Sequence, residues 1–178
     1  MFIHDDLYDM SDIRDRTNRA IALHDSIESD EDNDVYPVTT TVFDGHVNIE
    51  ITDGTTVFSV RITVPMIDAV VDGHVAEPVQ KGWLDTFGRR MADAASATRG
   101  HDTLDIKTTR EDDTAVVETT FTDIDPSRGI DDAVSLVEFA EGTYVEGVIP
   151  GYDYTDPVTQ LIQRASDAAG GKKGGTPL

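Results

Sequence analysis

The stretch VYPVTTTVFDGHVNIEITDGTTVFSVRITV, residues 35–64, decides the fold. It contains two Asp-Gly pairs, Asp44-Gly45 and Asp53-Gly54, and each pair separates two runs of β-branched and apolar residues. Such pairs are the strongest short-range signal for two-residue hairpin turns, because both residues tolerate a positive φ. The stretch therefore predicts a three-stranded antiparallel meander.

The two predicted turns give the middle strand a single register. They pair Val47 with Val42 and Val60, Ile49 with Thr40 and Phe58, and Ile51 with Val38 and Thr56. All of these residues then share one face of the sheet, and a slip of one residue would expose them. The sheet is thus predicted to have an apolar face that helices cover and a polar face that meets solvent.

Helical periodicity flanks the meander on both sides. A first helix is predicted from Ser11 or Asp12, with an apolar stripe that ends near Ile27. A second is predicted over Glu77–Thr98, and its large apolar residues recur at i, i+4 spacing: Val79, Trp83, Phe87 and Met91. We expect this helix to cover the apolar face. Gly82 and Gly88 lower its helix propensity, and we expect them to allow a close approach to the sheet.

The second half of the chain predicts another hairpin and two more helices. The hairpin turns at the polar loop 110–113 and pairs Ile106 with Val117, the third helix covers about 130–147, and the last follows Asp156-Pro157. The fold class is therefore α+β: a five-stranded, mostly antiparallel sheet, element order α-β-β-β-α-β-β-α-α, with helices packed on one face. Residues 1–168 form a single domain in this interpretation, and residues 169–178 form a disordered tail.

Composition excludes several classes of function. The chain of 178 residues carries 35 acidic and 14 basic residues, for a net charge of -21. This balance opposes nucleic-acid binding, which needs a basic surface. Few lysines among scattered aspartates are typical of proteins that work in concentrated salt, where charge repulsion is screened. No apolar run is long enough to cross a membrane, and the acidic N-terminus does not resemble a signal peptide, so we expect a cytoplasmic protein without membrane partners.

No motif for catalysis, a cofactor or a metal stands out. Cysteine is absent, which removes thiolate chemistry, and the five histidines lack the spacing of a metal site. Asp123, Asp125 and Ser127 alternate like calcium ligands, but Arg128 and Val134 stand where an EF-hand needs Gly and Glu. The sequence therefore predicts no catalytic, cofactor or metal residues.

The segment 144–154 has the most unusual chemistry in the chain. It brings together Tyr144, Glu146, Tyr152, Asp153 and Tyr154 around the Pro150-Gly151 helix break. Tyrosine favours boundaries between apolar and wet surroundings, so these five residues are a candidate interaction surface. The alternative is a crossover whose rings close the core.

Four strings carry a family resemblance: VTTTVFD (38–44), GWLDTFGRRMAD (82–93), DPSRGIDDA (125–133) and YVEGVIPGYDYTDPV (144–158). Together they resemble a family of uncharacterised small acidic proteins from halophilic archaea. The resemblance implies a halophilic, cytoplasmic origin and no catalytic residues. The order of elements alone is similar to that of the dimeric chaperones of type III secretion.

Three functional hypotheses follow from these observations, and the third is an intracellular accessory subunit that is stable only with a neighbouring protein. The first is a non-enzymatic protein-interaction module, a chaperone-like homodimer or a binder of another protein. The second is a small-molecule binder or enzyme with a pocket between sheet and helices, near Trp83, Phe87 and Tyr144.

Overall fold

The computed structural model describes residues 3–29 and 33–171, and the side chains of 10–29 and 33–170. Its helices are α1 (Ile3–Leu23), α2 (Glu77–Met91), α3 (Pro126–Glu146) and α4 (Val158–Gly171), with short 3-10 helices at Ile67–Val70 and Ala94–Ala97. Its strands are β1 (Val35–Pro37), β2 (Asp44–Thr52), β3 (Thr55–Pro65), β4 (Lys107–Glu111) and β5 (Thr114–Asp123). They form one antiparallel sheet in the order β1-β2-β3-β5-β4, which confirms the α+β class and the element order.

The second predicted hairpin is confirmed residue by residue. Ile49 pairs with Phe58, and Asp53 and Gly54 both have positive φ, 51° and 73°, as their turn requires. Ile49 and Phe58 are 5% and 0% exposed, so the apolar face lies where the pattern placed it.

The first predicted hairpin is wrong. β1 ends at Pro37, and Tyr36 rather than Val42 pairs with Val47. Residues 38–43 lie outside the strands, although the N–H of Val38 still donates to the carbonyl of Gly45. In this loop the carboxylate of Glu141 on α3 accepts the backbone N–H groups of Val42 and Phe43, at 2.7 and 3.3 Å.

Gly45 therefore serves packing and not a turn. A Cβ at this position would lie 2.3 Å from Cγ1 of Val137 on α3, closer than real atoms approach. The glycine lets α3 cross β2 at contact distance.

The hairpin between β4 and β5 is tighter than predicted. Its turn is Asp112-Asp113, with Asp112 at φ 51°, and Thr108 pairs with Val117 where Ile106 was expected. The register differs by two residues, so the predicted faces are kept.

The helix over the centre of the sheet is α3 and not α2, which corrects our expectation. Eleven residues of α3 are buried, and Gly129 packs so closely that a Cβ there would lie 2.3 Å from the ring of Phe58. α2 lies beside α3 over the β4–β5 side, where Gly88 faces Thr108. The helix with the wider buried side takes the centre: eleven residues of α3 are buried, against four of α2.

The opposite face of the sheet is polar and, among the described residues, bare. Its side chains bond to one another: Ser59 and Thr120 lie 3.1 Å apart, and Arg61 bridges Glu118 and Glu111 at 2.5 and 2.8 Å. Such a face needs no cover.

α4 continues to Gly171, so residues 169–171 of the predicted tail are helical, and 172–178 lie outside the described residues. None of the helices in the described part of the chain combines the length and the apolar character needed to cross a membrane.

Candidate functional site

The five residues of the predicted interaction surface do not all lie at the surface. Tyr144 is 1% exposed and belongs to the core, while Glu146 and Asp153 are exposed and Tyr152 and Tyr154 are half-buried. The interaction role of the segment stays a prediction, but the side chain of Tyr144 cannot contribute to an exposed contact.

Tyr144 joins an aromatic cluster between the helices. Its ring meets Phe43 edge-on at 4.7 Å and Trp83 at 5.3 Å, and Trp83 stacks on Phe87 at 5.4 Å. Burial raises the pKa of the Tyr144 hydroxyl, which has no hydrogen-bond partner among the described residues. The cluster ties α2, α3 and the 38–43 loop together.

Tyr154 closes the helix break. Its hydroxyl accepts a hydrogen bond from the N–H of Ile149 at 2.7 Å and donates one to the carbonyl of the same residue at 2.9 Å. Burial raises the pKa of Tyr154 although the Ile149 N–H opposes that shift. These two hydrogen bonds to the backbone of Ile149 hold the chain after α3 in place beside α2.

A groove runs between α2 and α3 directly above the aromatic cluster. We call it the α2–α3 groove; its main lining residues are Val79, Trp83, Phe87 and Arg90 of α2 and Thr143 and Glu146 of α3. Its volume is about 380 Å³. A second depression of about 430 Å³ shares Arg90, Thr143 and Glu146 and continues along Phe139 and Gly142.

The two helices that form the groove run antiparallel. The N-terminal residue Val79 of α2 lies by Ile149, beyond the end of α3, whereas Arg90 near the end of α2 lies by Phe139. The α2 wall from Val79 to Arg90 is about 17 Å long at 1.5 Å per residue. The groove is therefore long and open, with an aromatic floor and one charged side chain on each wall.

Gly82 and Gly142 line this surface without a packing reason. A Cβ at either position would meet nothing within 4 Å, and both residues lie inside helices, where glycine costs up to about 1 kcal/mol relative to alanine. For Gly82 this overturns the expected close approach to the sheet. Because neither residue has a side chain, both leave space in the groove and its continuation.

The groove also holds hydrogen-bond donors without acceptors. Trp83 and Thr143 are 6% and 5% exposed, and neither the indole N–H nor the Thr143 hydroxyl bonds to any described residue. Thr86 differs, because its hydroxyl donates to the carbonyl of Gly82 at 2.9 Å. Neither of these two atoms is fully buried, so both stay open to solvent through the groove. A bound partner would cover them, and it would then have to supply an acceptor for each donor.

A second cluster of polar side chains lies at the N-terminal end of α3. His101, Asp123 and Asp132 present ligand atoms within 4.8 Å of one another, and Nε2 of His101 is buried without a hydrogen-bond partner. Sequence spacing could not reveal this cluster, because its members come from a loop, β5 and α3.

The carboxylates of this cluster already accept hydrogen bonds from other groups of the protein. Both oxygens of Asp123 accept hydrogen bonds from Arg128, at 2.9 and 2.7 Å, and those of Asp132 accept the backbone N–H groups of Arg99 and Gly100 at 2.8 and 2.9 Å. Burial alone would raise the pKa of Asp123, but the bonds from Arg128 and the Asp125 N–H outweigh it and hold that pKa below its ordinary value. A cation would compete with the guanidinium of Arg128 for these oxygens. The cluster is therefore better explained as a set of structural hydrogen bonds that hold the 99–101 loop than as a metal site.

The residues that alternate like calcium ligands in the sequence, Asp123 and Asp125, lie in the same region and bind donors of the protein itself. Asp125 is the N-cap of α3 and accepts the backbone N–H of Ser127 at 3.1 Å, while Asp123 pairs with Arg128. These oxygens satisfy the protein's own donors.

The fold and the groove define a class: an α+β protein with an open antiparallel sheet and a two-helix groove. Residues 22–164 match the model of a family of unknown function, DUF5813, and the chain belongs to that family. No curated protein and no solved structure gave a significant match. Family membership supplies no activity, so function has to be argued from the geometry.

Proposed function

We propose that this protein is a non-enzymatic protein-interaction module that binds a helical segment of another protein in the α2–α3 groove. The observation that carries the proposal is the groove itself: an open channel between antiparallel helices with Trp83 and Phe87 in its floor. Amphipathic helices commonly bind in such channels through apolar residues at i, i+3, i+4 and i+7. A wall of about 17 Å matches a helix of three turns.

Charge complementarity supports a basic helix as the occupant. The chain has a net charge of -21; Glu146 and Arg90 line the groove, and Asp93 lines the depression that continues it. A field of this sign attracts basic segments and accelerates their association. The proposed partner segment is therefore amphipathic, with apolar residues on one side and lysine or arginine on the other.

A chaperone-like role fits this proposal, because a groove that shelters an amphipathic helix would keep it from aggregating. The homodimer predicted from the sequence is an alternative occupant, in which a second copy fills the groove. Light scattering of the purified chain distinguishes a monomer with a vacant groove from such a dimer.

The second candidate function is small-molecule binding. The groove volume of about 380 Å³ lies in the usual range of ligand pockets. Among the described lining residues no hydroxyl is hydrogen-bonded to a carboxylate or histidine that could activate it, which favours binding over catalysis. The continuation of the channel along Phe139 and Gly142 favours an elongated occupant over a compact one.

The test uses the protein's single tryptophan, Trp83, as a fluorescent reporter in the groove. A 15-residue amphipathic Leu–Lys–Ala helix and its Leu–Glu–Ala analogue are titrated into the full chain. We expect the basic peptide to change the Trp83 emission and to bind at least tenfold more tightly than the acidic one.

Gly82→Gln supplies the decisive variant, because a Cβ at this position meets nothing within 4 Å and the longer side chain would extend into the groove. Gly170→Gln on α4 is the matched control, since a Cβ there also meets nothing within 4 Å. The proposal predicts at least a tenfold loss of affinity for the first variant and none for the second. Equal binding by both variants would contradict it.

We also propose a halophilic, cytoplasmic setting, supported by the charge of -21 and the count of only 14 basic residues. Screening at 2 M salt removes most repulsion between surface carboxylates. The midpoint of urea unfolding should therefore rise steadily from 0.05 to 2 M KCl. A protein fully folded at 0.05 M KCl that gains nothing at 2 M would refute this setting.

A further inference from the structure

The α2–α3 groove contains two donors that an apolar helix would leave unsatisfied. The indole N–H of Trp83 and the hydroxyl of Thr143 belong to side chains that are 6% and 5% exposed, and both line the groove. Covering them with purely apolar atoms would remove their remaining contact with water. An unpaired buried donor costs about 1 to 3 kcal/mol, so a partner that lacks an acceptor would bind poorly.

The two donors lie on the same side of the groove. A Cβ at Gly147 would be 3.6 Å from Nε1 of Trp83, which places the indole N–H beside the last turn of α3. Thr143 lies one helical turn before Gly147 on the same face, four residues away. The absence of a side chain at Gly147 leaves the approach to Nε1 uncovered.

We infer that the groove recognises an uncharged oxygen acceptor, the side-chain amide of a glutamine or asparagine, at the centre of the partner helix, held by Trp83 and Thr143. This inference rests on the proposed function and names the chemistry of the residue that the groove selects. A neutral acceptor suits the site better than a carboxylate, because Glu146 and Asp93 also border the groove and the chain is strongly acidic.

The inference explains one glycine for which the packing of the fold gives no reason. Gly82 in α2 and Gly147 after α3 both border the groove, and Gly82 has no packing reason to be glycine. Side chains at these positions would narrow the path to the two donors. Selection of a polar residue inside an apolar stripe would also give the module specificity, since a site built to hydrogen-bond discriminates strongly against a group that lacks the acceptor.

The experiment compares two Leu–Lys–Ala peptides of 15 residues that differ at one central position on the apolar side, glutamine in one and methionine in the other. The single tryptophan gives one indole resonance in an ¹⁵N-correlated NMR spectrum of the full chain. We expect the glutamine peptide to move the indole proton downfield and to bind at least fivefold more tightly, because one added hydrogen bond is worth about that factor.

Two threonine variants separate recognition from folding. Thr143→Val keeps the side-chain shape and removes the unpaired hydroxyl, so it should abolish most of the preference for glutamine. Thr86→Val is the control, because the Thr86 hydroxyl also borders the groove but is already bonded to Gly82. It should leave the preference unchanged, and urea unfolding of both variants checks that they are folded.

The outcomes distinguish this inference from the proposed function. Equal affinity for the two peptides, with no difference at the indole proton, would overturn the inference and leave the helix-binding function intact. If neither peptide bound while acetamide moved the indole proton, the donors would be confirmed and the protein-binding function would be wrong. If no peptide and no acetamide had any effect, both would be overturned.

Discussion

Gly129→Ala tests the packing of α3 against the sheet, on which the position of the groove depends. A Cβ at Gly129 would lie 2.3 Å from Cε2 and Cζ of Phe58, whose side chain is fully buried and stacks on Phe121 at 5.3 Å. Because the ring is fully buried, it can make room only if its neighbours move as well or if α3 shifts away from the sheet. Overpacking of this kind typically costs about 1 to 3 kcal/mol, against a helix-propensity gain of about 1 kcal/mol.

We expect a net loss of up to about 2 kcal/mol in the free energy of unfolding, and no gain. Urea unfolding followed by circular dichroism at a fixed salt concentration measures it. Gly142→Ala on the same helix is the matched control, because its Cβ would meet nothing within 4 Å, and it should stabilise the protein by up to about 1 kcal/mol. If Gly129→Ala were as stabilising as Gly142→Ala, α3 would not cross β3 at contact distance and the reasoning would be refuted.

Three further substitutions probe buried polar groups. Tyr144→Phe should stabilise the protein by about 1 kcal/mol in urea unfolding, because the hydroxyl it removes is buried without a partner in the described part of the chain; a loss of stability would reveal a hidden partner. Asp132→Asn should cost about 2 kcal/mol, since the amide nitrogen cannot accept one of the backbone N–H bonds, whereas Asp131→Asn, at a half-exposed side chain, should cost much less. Arg128→Gln should destabilise the protein at pH 7. Because Arg128 holds the pKa of Asp123 low, the pair stabilises the fold above the unfolded value of about 3.9 and its contribution disappears as pH falls through the folded pKa. The difference between variant and wild type should therefore shrink below pH 4, and a constant difference would show that the ion pair is not its source.

Local patterns predicted the parts of the fold that depend on neighbouring residues. Asp53-Gly54 fixes the β2–β3 hairpin because the turn needs two positive φ angles that this pair tolerates. The pair Asp44-Gly45 has the same sequence but does not form a turn. Gly45 is glycine because Val137 on α3 packs where a Cβ would lie, and this contact between distant residues cannot be predicted from a local pattern.

The covering helix and the site depended on contacts between distant residues. α2 carries the larger aromatic residues, but α3 is apolar on more sides and so takes the centre of the sheet. One residue of the predicted interaction surface, Glu146, lines the α2–α3 groove, and the interaction role of the segment stays a prediction. The two unpaired donors, Trp83 and Thr143, become visible only when α2 and α3 are placed side by side.

One cross-linking measurement tests the central claim most directly. The basic Leu–Lys–Ala peptide, with a photoreactive leucine on its apolar side, is irradiated with the full chain and the attachment sites are read by mass spectrometry. The account predicts attachment within residues 79–93 and 139–149, and its loss in Gly82→Gln. Attachment mainly to the bare polar face of the sheet, on β2, β3 and β5, would contradict it.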